Sequence, residues 1–351
     1  MTGDNDRVTL PAVVAVATPL GRAALHGTLA VPRAIAAAGD NVARRFLEFF
    51  AAQIRNRNTR LAYYRAVCTF FAWLDRHDIS ELADIEPLHV AAYIEALQAT
   101  AAKPTVKQHL AAIRMLFNWL ITGGLLVINP AQAVRGPKHV VRRGKTPVLT
   151  EDQARRLLAG IAVVKRVRMA DGSEVEVPDL VGLRDRALIG VMTYAFARIG
   201  AVVAMRVEDY YPAGKRWWVR LHEKGGKRHE MPAHHKLEAF IDEYLAAAGI
   251  RDEGKGPLFR SAVGRTGILT GTPMNRVDAY RMIRRRAAEA GFKQKLGCHV
   301  FRATGITAYL EAGGTLENAQ AMAAHESPRT TKLYDRTGDE ITLDEVERIT
   351  I

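Results

Sequence analysis

Cysteine is scarce in this 351-residue sequence, and long apolar runs are absent. The two cysteines, Cys68 and Cys298, lie far apart and match no metal-binding or redox spacing, so we predict a reduced cytosolic protein in which both are small core residues. The lack of a continuous apolar span excludes a membrane-crossing protein. Residues 10–21 come nearest to a signal peptide, but acidic residues precede them and prolines interrupt them, so no targeting segment is expected.

Acidic residues are too few to balance the basic ones. Fifty Lys and Arg residues against thirty-seven Asp and Glu residues give a formal net charge of +13. This surplus predicts a polyanionic partner, and nucleic acid is the expected one because its phosphates attract basic grooves and release counterions on binding. No basic amphipathic helix with a strong apolar face is evident, so binding to a membrane surface is not expected.

The length of the chain favours two domains, because a single hydrophobic core rarely extends through 351 residues. Residues 1–38 are rich in Ala, Val and Gly without a clear period, and they predict a poorly ordered N-terminal extension. Residues 39–134 carry helical periodicity and predict a compact all-helical domain. Its helices are expected at 41–54, at 59–74, near 87–97, and from residue 105 onward.

Two of these helices have a defined apolar face. The second has Thr59 as a candidate N-cap and apolar residues at spacings of three and four. Those residues are Leu61, Tyr64, Cys68 and Phe71. The fourth carries a longer apolar stripe and is expected to end at Gly123 and Gly124. That stripe consists of Val106, Leu110, Ile113, Phe117 and Leu120.

The segment 135–148 has the composition of a linker, with two prolines, two glycines, five basic residues and no acidic residue. The basic residues are Arg135, Lys138, Arg142, Arg143 and Lys145. A basic run is commonly a solvated loop. Between two domains of a basic protein, however, it is well placed to lie against a DNA backbone.

Residues 149–351 mix helical and strand patterns. The stretch KRWWVRLHEKGGKRHEMP alternates polar and apolar residues on both sides of its two central glycines, as a β-hairpin does. Helical patterns precede it at 150–161 and 183–196 and resume after it. The predicted fold class is therefore mainly α with a small β-sheet or hairpin, an all-α domain followed by a mixed α+β domain.

Six residues of the second half are candidates for phosphodiester chemistry. Arg198 follows a buried helix, where a permanently charged guanidinium needs an anion, although a structural ion pair is the alternative. Lys224 precedes the Gly-Gly turn, which is either an ordinary solvated turn or a rigid place from which an amine enters a groove. His299 and Arg302 are three residues apart, so on a helix they face one ligand together.

The last two candidates lie near the end of the sequence. His325 closes a predicted helix that begins at Thr315, and Tyr334 lies nine residues further on. Each pair is weak by itself. The serial order Arg, Lys, His-x-x-Arg, His, Tyr is far more specific.

This order, at nearly these intervals, resembles the tyrosine recombinases, the phage integrase family. The resemblance covers about residues 41–334 and is most specific in four segments: ARIGAVVAMRVEDY, EKGGKRHEMP, CHVFRATGITAYLEAGG and AHESPRTTKLY. It implies that residues 39–134 are the DNA-binding core-binding domain and that residues 149–351 are the catalytic domain with a C-terminal docking tail. It also implies a role for each candidate: phosphate clamp for Arg198 and Arg302, general acid for Lys224, further active-site positions for His299 and His325, and nucleophile for Tyr334.

Elementary chemistry agrees with these implied roles. Two guanidiniums can bind the nonbridging oxygens of a phosphodiester bidentately without a metal. Tyr334, with a reference pKa of about 10, needs a cationic pocket and a nearby base such as His299. Lys224 can protonate the leaving 5′ oxygen, and His325 can donate a hydrogen bond to the phosphate. Because a 3′-phosphotyrosyl ester keeps the energy of the broken bond, rejoining needs no ATP, and no cofactor is expected.

The sequence departs from the family pattern beside Arg198. Ala197 precedes this arginine where the family often has Gly or Leu, and Gly200 and Ala201 follow where it often has Ser-Glu. All six chemical positions are nonetheless present. No metal site is expected either, because the remaining clustered histidines lack cysteine or carboxylate ligands at suitable spacing. Those histidines are His222, His229, His234 and His235.

Further basic residues are candidate contacts to DNA and, with the linker, indicate a C-shaped clamp around the duplex. They are Arg55, Arg57, Arg60, Arg65, Lys103, Lys107 and Lys227. The tail after Tyr334 is acidic, so it is not expected to bind DNA. The resemblance to the family implies that it docks onto a neighbouring subunit, with a frayed end as the alternative. Its apolar residues are Ile341, Leu343, Val346 and Ile349.

The expected function is that of a site-specific DNA recombinase acting as a homotetramer on two double-stranded sites, with accessory DNA-bending proteins as possible partners. A cytoplasmic, nucleoid-associated location follows from that function. Two alternatives remain open at this point. A type IB topoisomerase shares the clamp and the tyrosine, and a non-catalytic architectural DNA-binding protein shares the basic surface.

Overall fold

The computed structural model describes residues 30–141, 144–223, 226–264, 266–335 and 346–347. The chain divides into two compact units between Val140 and Val141. This division falls inside the predicted linker 135–148, whose ends remain predictions. Among the helices that the structure describes, none is long and apolar enough to cross a bilayer.

The elements that the structure describes in the first unit, between residues 30 and 140, are all helical. Its elements are α1 (Arg33–Ala37), α2 (Asp40–Glu48) continued by a π-helical turn (Phe49–Gln53), α3 (Arg57–Asp75), a 3-10 turn (Leu82–Asp84), α4 (Pro87–Thr100) and α5 (Lys103–Thr122). The predicted apolar stripe of α5 is confirmed, since all five of its residues are at most 2% exposed. The helix ends at Gly123, and Gly124 adopts a positive φ of 70° as predicted for a stop.

Two predictions about α3 are wrong. The N-cap is Asn56, whose side chain accepts hydrogen bonds from the backbone N–H groups of Asn58 and Thr59, so the helix begins before the predicted cap Thr59. Of the predicted stripe, Leu61 and Cys68 are only half-buried. The buried face is instead formed by Tyr64, Ala66, Val67, Phe70, Phe71 and Leu74.

The N-terminal extension is described only from residue 30 onward. In that part, α1 buries Ala34 and Ile35 in the core of the first unit. Residues 33–37 therefore belong to the helical unit rather than to a loosely ordered extension, and residues 1–29 lie outside the described residues. Cys68 and Cys298 are both free and half-buried, each packed at the side of one core instead of fully inside it.

In its described residues the second unit combines helices with three small antiparallel sheets, which confirms the predicted fold class. Its helices are α6 (Glu151–Ala159), α7 (Leu180–Tyr194), α8 (Ile199–Val202), a 3-10 turn (Val207–Asp209), α9 (His235–Ala248), α10 (Arg276–Glu289), α11 (Cys298–Glu311), α12 (Leu316–Met322) and α13 (Pro328–Lys332). Its strands are β1 (Val164–Arg168) paired with β2 (Glu174–Pro178), β3 (Tyr210–Ala213), β4 (Arg216–His222) and β5 (Arg228–Pro232) in the order β3-β4-β5, and β6 (Arg260–Ala262) paired with β7 (Leu269–Pro273).

The hairpin β4-β5 confirms the predicted alternation. Val219 and Leu221 point inward and are fully buried, and Leu221 pairs with His229 across the ladder. At the turn, the N–H of Glu223 donates to the carbonyl of Lys227 at 2.8 Å. The register of the two strands therefore places the turn of the hairpin at the edge of the core.

Helices α7 and α11 approach each other closely at Gly305. A Cβ at this position would overlap the carbonyl of Thr193 and come within 2.9 Å of the Phe196 ring. Only glycine therefore permits this contact, which brings the middle of α11 against the end of α7. Both arginines of the predicted phosphate clamp lie at this junction.

Candidate active site

Arg302 is the most deeply enclosed of the predicted site residues. It lies on α11 with its side chain 2% exposed, and its guanidinium donates to the backbone carbonyls of Phe196 and Ala323. Its Nη1 also lies 3.8 Å from Oε1 of Glu223. Burial and then the charge of Arg198 lower the pKa of Arg302 to about 10, so it stays protonated near neutral pH.

Arg198 is the N-cap residue of α8, directly after the chain leaves α7. Its side chain is 30% exposed, and its Nη1 donates to Oε2 of Glu223. The two guanidiniums therefore share one carboxylate, with Arg302 held inside and Arg198 reaching toward solvent. This pair brings together two residues that are 104 positions apart in the chain, as the predicted phosphate clamp requires.

Tyr334 lies at the end of α13 with its ring stacked on His325. The ring centroids are 5.8 Å apart at an interplanar angle of 8°. The Thr307 hydroxyl donates to the Tyr334 carbonyl at 2.9 Å, which ties this short segment to α11. The Tyr334 side chain also interacts with Arg302, and together with Glu223 it raises the pKa of that arginine against the larger effect of burial. The tyrosine hydroxyl therefore faces Arg302.

The two predicted active-site histidines differ in exposure. His325 is 8% exposed, and its Nδ1 lies 2.9 Å from the Thr331 hydroxyl. When Thr331 donates this hydrogen bond, the Nε2 of the neutral ring carries the proton and can donate to an anion. His299 is exposed, but the packing around its ring, then Arg302 and Arg198, lower its pKa. A neutral His299 is able to accept a proton.

The stability of the fold should depend on pH through His325. Burial and then the charges of Arg302 and Arg198 lower its pKa from 6.5 to about 3. Below pH 6.5 the His325 imidazole is protonated in the unfolded chain, whereas in the folded chain it stays neutral until about pH 3. The free energy of unfolding therefore falls as the pH drops through this window. Denaturant unfolding should show wild type losing about 1 kcal/mol more than His325→Gln between about pH 7.5 and about pH 5.5. Equal losses would mean that His325 is not held neutral by the fold.

Glu223 is a site residue that the sequence interpretation missed. It is only 6% exposed and contacts both arginines. A signal was present, because the alternation that buries Val219 and Leu221 places Glu223 on the same inward face. A charged residue on the buried face of a strand, beside two arginines, needs a partner.

Other predicted site residues lie outside the described part of the chain. These are Lys224, Arg142 and Arg143, along with Ile341, Leu343 and Ile349 of the predicted tail. Val346 of that tail is described and is half exposed. The position of the implied general acid therefore remains a prediction.

Most of the predicted DNA contacts that the structure describes are exposed. They are Arg55, Arg57, Arg65, Lys103, Lys107, Arg135, Lys138, Lys145 and Lys227. Lys227 lies 3.6 Å from Glu326, on the loop between the two predicted active-site residues His325 and Tyr334. Arg60 differs, because its guanidinium donates to the carbonyl of Ile54 at 2.9 and 3.1 Å and thereby fixes the start of α3.

The remaining histidines have structural contacts. His234 caps α9 and stacks on Tyr194 at 4.6 Å, and His222 lies 3.8 Å from Asp209. Within the described ranges, His, Cys, Asp and Glu side chains form no group of three or more that could hold a metal ion. The charged group that the Tyr334 side chain contacts is instead the Arg302 guanidinium, which suits an anion.

Comparison with known families gives this arrangement its context. The model of the phage integrase family matches residues 147–340, more than half of the chain. The chain belongs to the phage integrase family, the tyrosine recombinases. A second model, the N-terminal SAM-like domain of phage integrases, matches residues 43–124. The two matches cover the helical first unit and most of the second.

Curated relatives belong to the same family. The tyrosine recombinase XerC of Salmonella typhi is 28% identical over 64% of this chain and 66% of its own length. The tyrosine recombinase XerD of Mycobacterium leprae (strain TN) is 27% identical over 79% of this chain and 86% of its own length. The chain thus spans slightly less than two thirds of the first relative and most of the second.

A solved structure shares the fold of this phage integrase family member. The lambda integrase tetramer bound to a Holliday junction superposes with a TM-score of 0.61 at 16% identity, covering 85% of this chain and 78% of that one. At this identity the likeness establishes the fold alone. The predicted family and fold class are both confirmed.

Proposed function

We propose that this protein is a site-specific DNA recombinase that cleaves and rejoins DNA strands through a 3′-phosphotyrosyl intermediate on Tyr334. The observation that carries the proposal is the orientation of the tyrosine hydroxyl toward Arg302, in a pocket that also holds Arg198 and His325. A hydroxyl beside two fixed guanidiniums is suited to attack a phosphodiester, since the same cations bind the phosphate and stabilise the charge that develops on it.

The reaction proceeds by in-line displacement at phosphorus. The Tyr334 oxygen forms a bond to phosphorus as its proton passes to the neutral His299, and the bond to the 5′ oxygen breaks. Lys224 supplies the proton that the leaving 5′ oxygen takes up. Arg198 and Arg302 bind the nonbridging oxygens, and His325 donates to one of them through Nε2. Attack by a 5′ hydroxyl reverses the steps and restores both the strand and the tyrosine.

The partner is double-stranded DNA, and the assembly is a homotetramer on two paired sites. This proposal is supported by the formal charge of +13 and by the lambda integrase neighbour, which is a tetramer on a Holliday junction. Strand exchange through such a junction uses two rounds of cleavage and rejoining, one for each pair of strands. The tail around Val346 docks onto a neighbouring subunit, accessory DNA-bending proteins can assist, and DNA binding places the protein with the nucleoid.

Phosphate contacts come from the exposed basic residues of the first unit and the linker. Arg57 and Arg65 on α3 and Lys103 and Lys107 on α5 present their side chains to solvent. Such residues neutralise phosphates and position the duplex without reading its sequence. Arg60 contributes to this surface mainly by fixing the helix start.

The proposal is tested with DNA that the protein itself selects. A random-sequence duplex library is enriched for bound sequences, and the consensus, termed the selected site, is made with a nick that lets the cleaved strand diffuse away. Incubation with wild type should yield a denaturation-resistant adduct that carries DNA on its 3′ phosphate. Plasmids with two selected sites should recombine, and a supercoiled plasmid without any should stay supercoiled.

Each alternative function predicts a different result in this experiment. Relaxation of plasmids that lack the selected site would identify a topoisomerase activity instead. Tight binding without any adduct would identify an architectural DNA-binding protein. Either result would overturn the proposed recombinase function.

A further inference from the structure

A buried carboxylate joins the arginine pair to the β4-β5 turn. The Glu223 side chain is 3% exposed, its Oε2 accepts a hydrogen bond from Arg198, and its Oε1 lies 3.8 Å from Nη1 of Arg302. A carboxylate withdrawn from water at this depth is costly unless cations compensate it. Its two oxygens are divided between the two guanidiniums, so one group contacts both.

The charges explain why this contact matters. Two guanidiniums in one pocket repel each other, and the charge of Arg198 lowers the pKa of Arg302. Glu223 acts in the opposite direction and raises that pKa. The carboxylate therefore reduces the cost of keeping two cations side by side before a phosphate arrives.

Glu223 is also fixed through its backbone. Its N–H donates to the Lys227 carbonyl at 2.8 Å, and its carbonyl accepts from Gly226 at 3.2 Å, which closes the turn of the hairpin. The next residue in the chain is Lys224, the implied general acid. Glu223 therefore links this end of the turn to the arginine pair.

The chain lacks a carboxylate at the position where the family pattern often has one. Ala201 occupies that position on α8 and is 4% exposed, so no acidic group can act there. Glu223 reaches Arg198 from the hairpin instead, 25 residues further along the chain. The acidic partner of the first arginine thus comes from a different element in this protein.

We infer that Glu223 is a positioning residue for the proposed recombination reaction: it orients Arg198 and Arg302 together and ties the β4-β5 turn to them. The inference rests on the proposed function, because it assigns Glu223 a role in the same site. Glu223 itself does not bind the DNA phosphate, which a carboxylate would repel. Its effect is exerted through the two arginines and the turn.

The test compares Glu223→Gln with wild type on the nicked selected site under single-turnover conditions. The amide keeps the size of the side chain and removes its charge, so adduct formation should slow by about 10- to 100-fold through loss of orientation. Binding to the same DNA should be as tight as in wild type or tighter, because a negative charge beside the phosphate is removed. A merely structural role would weaken both.

Two further variants sharpen this test. Glu230→Gln removes a carboxylate from β5 of the same hairpin, where it pairs with Arg220 and Arg228 away from the candidate site, and it should leave the adduct rate unchanged. Glu223→Asp keeps the charge on a shorter side chain and should retain more activity than Glu223→Gln. This order of activities separates the effect of the side chain's charge from the effect of its shape.

Several outcomes would overturn the inference. A Glu223→Gln adduct rate equal to wild type would show that the carboxylate positions nothing, and a faster rate would show that it blocks the phosphate position. Lower activity in Glu223→Asp than in Glu223→Gln would show that shape, not charge, matters. Absence of any wild-type adduct is a separate result, because it refutes the proposed function itself.

Discussion

Replacing Tyr334 by Phe is expected to abolish the covalent adduct with the nicked selected site, a loss of at least about 1,000-fold, because the attacking oxygen is gone. The phenyl ring keeps the stacking on His325 and the packing against the small cluster around Ile306 and Leu310. Affinity for intact DNA should therefore stay at the wild-type level. Adduct formation is measured on denaturing gels, and binding is measured by fluorescence anisotropy.

Tyr309→Phe provides the matched control for this variant. Tyr309 lies in the same cluster, with its ring 6.1 Å from that of Phe196, and the sequence interpretation gives it no chemical role. This control should form the adduct at the wild-type rate. An adduct that survives in Tyr334→Phe but disappears in Tyr309→Phe would identify Tyr309 as the nucleophile and refute the proposed mechanism.

Replacing Arg302 by Lys is expected to slow adduct formation by about 100- to 1,000-fold, because an ammonium cannot reproduce the planar guanidinium fork. Stability should fall as well. Arg302 is 2% exposed and satisfies the carbonyls of Phe196 and Ala323, which Lys cannot do together, at a cost of about 1–3 kcal/mol. Denaturant unfolding and single-turnover cleavage measure the two effects.

Arg198→Lys separates the effect of an arginine on cleavage from its effect on stability. Its side chain is 30% exposed and contacts Glu223 without the backbone carbonyls that hold Arg302. It should lose cleavage activity while its free energy of unfolding stays within about 0.5 kcal/mol of wild type. Instability equal to that of Arg302→Lys, with cleavage retained, would identify Arg198 as the structural ion pair that the sequence left open.

Local patterns predicted the elements well where one face of a helix or strand is buried. The stripe of α5 from Val106 to Leu120 is buried as expected, and the β4-β5 hairpin forms around its glycine turn. In both cases the apolar residues recur with the period of the helix or strand, so the buried face can be read directly from the sequence. The N-cap prediction for α3 was wrong because Asn56 and Thr59 both suit a cap, and in the structure Asn56 accepts the hydrogen bonds from the N–H groups of Asn58 and Thr59.

Contacts between distant segments could not be predicted in the same way. Glu223 reads as a polar residue beside a turn, yet it lies buried against two arginines. The same holds for Arg302, whose tie to Phe196 spans 106 positions of the chain. The alternation along β4 indicates only that Glu223 faces inward. It does not identify the partner of either residue, because each contact depends on how α7, α11 and the hairpin pack together.

The sequence by itself determined which chemical groups this protein carries and their order, and that order was enough to assign the family. The surplus of basic residues likewise indicated a polyanionic partner without any structure. Only the tertiary structure decided that the Tyr334 hydroxyl faces Arg302, that His325 is buried and neutral, and that Glu223 joins the two arginines. The physical reason is that charge, burial and orientation depend on neighbours in space, whereas composition and spacing are properties of the chain alone.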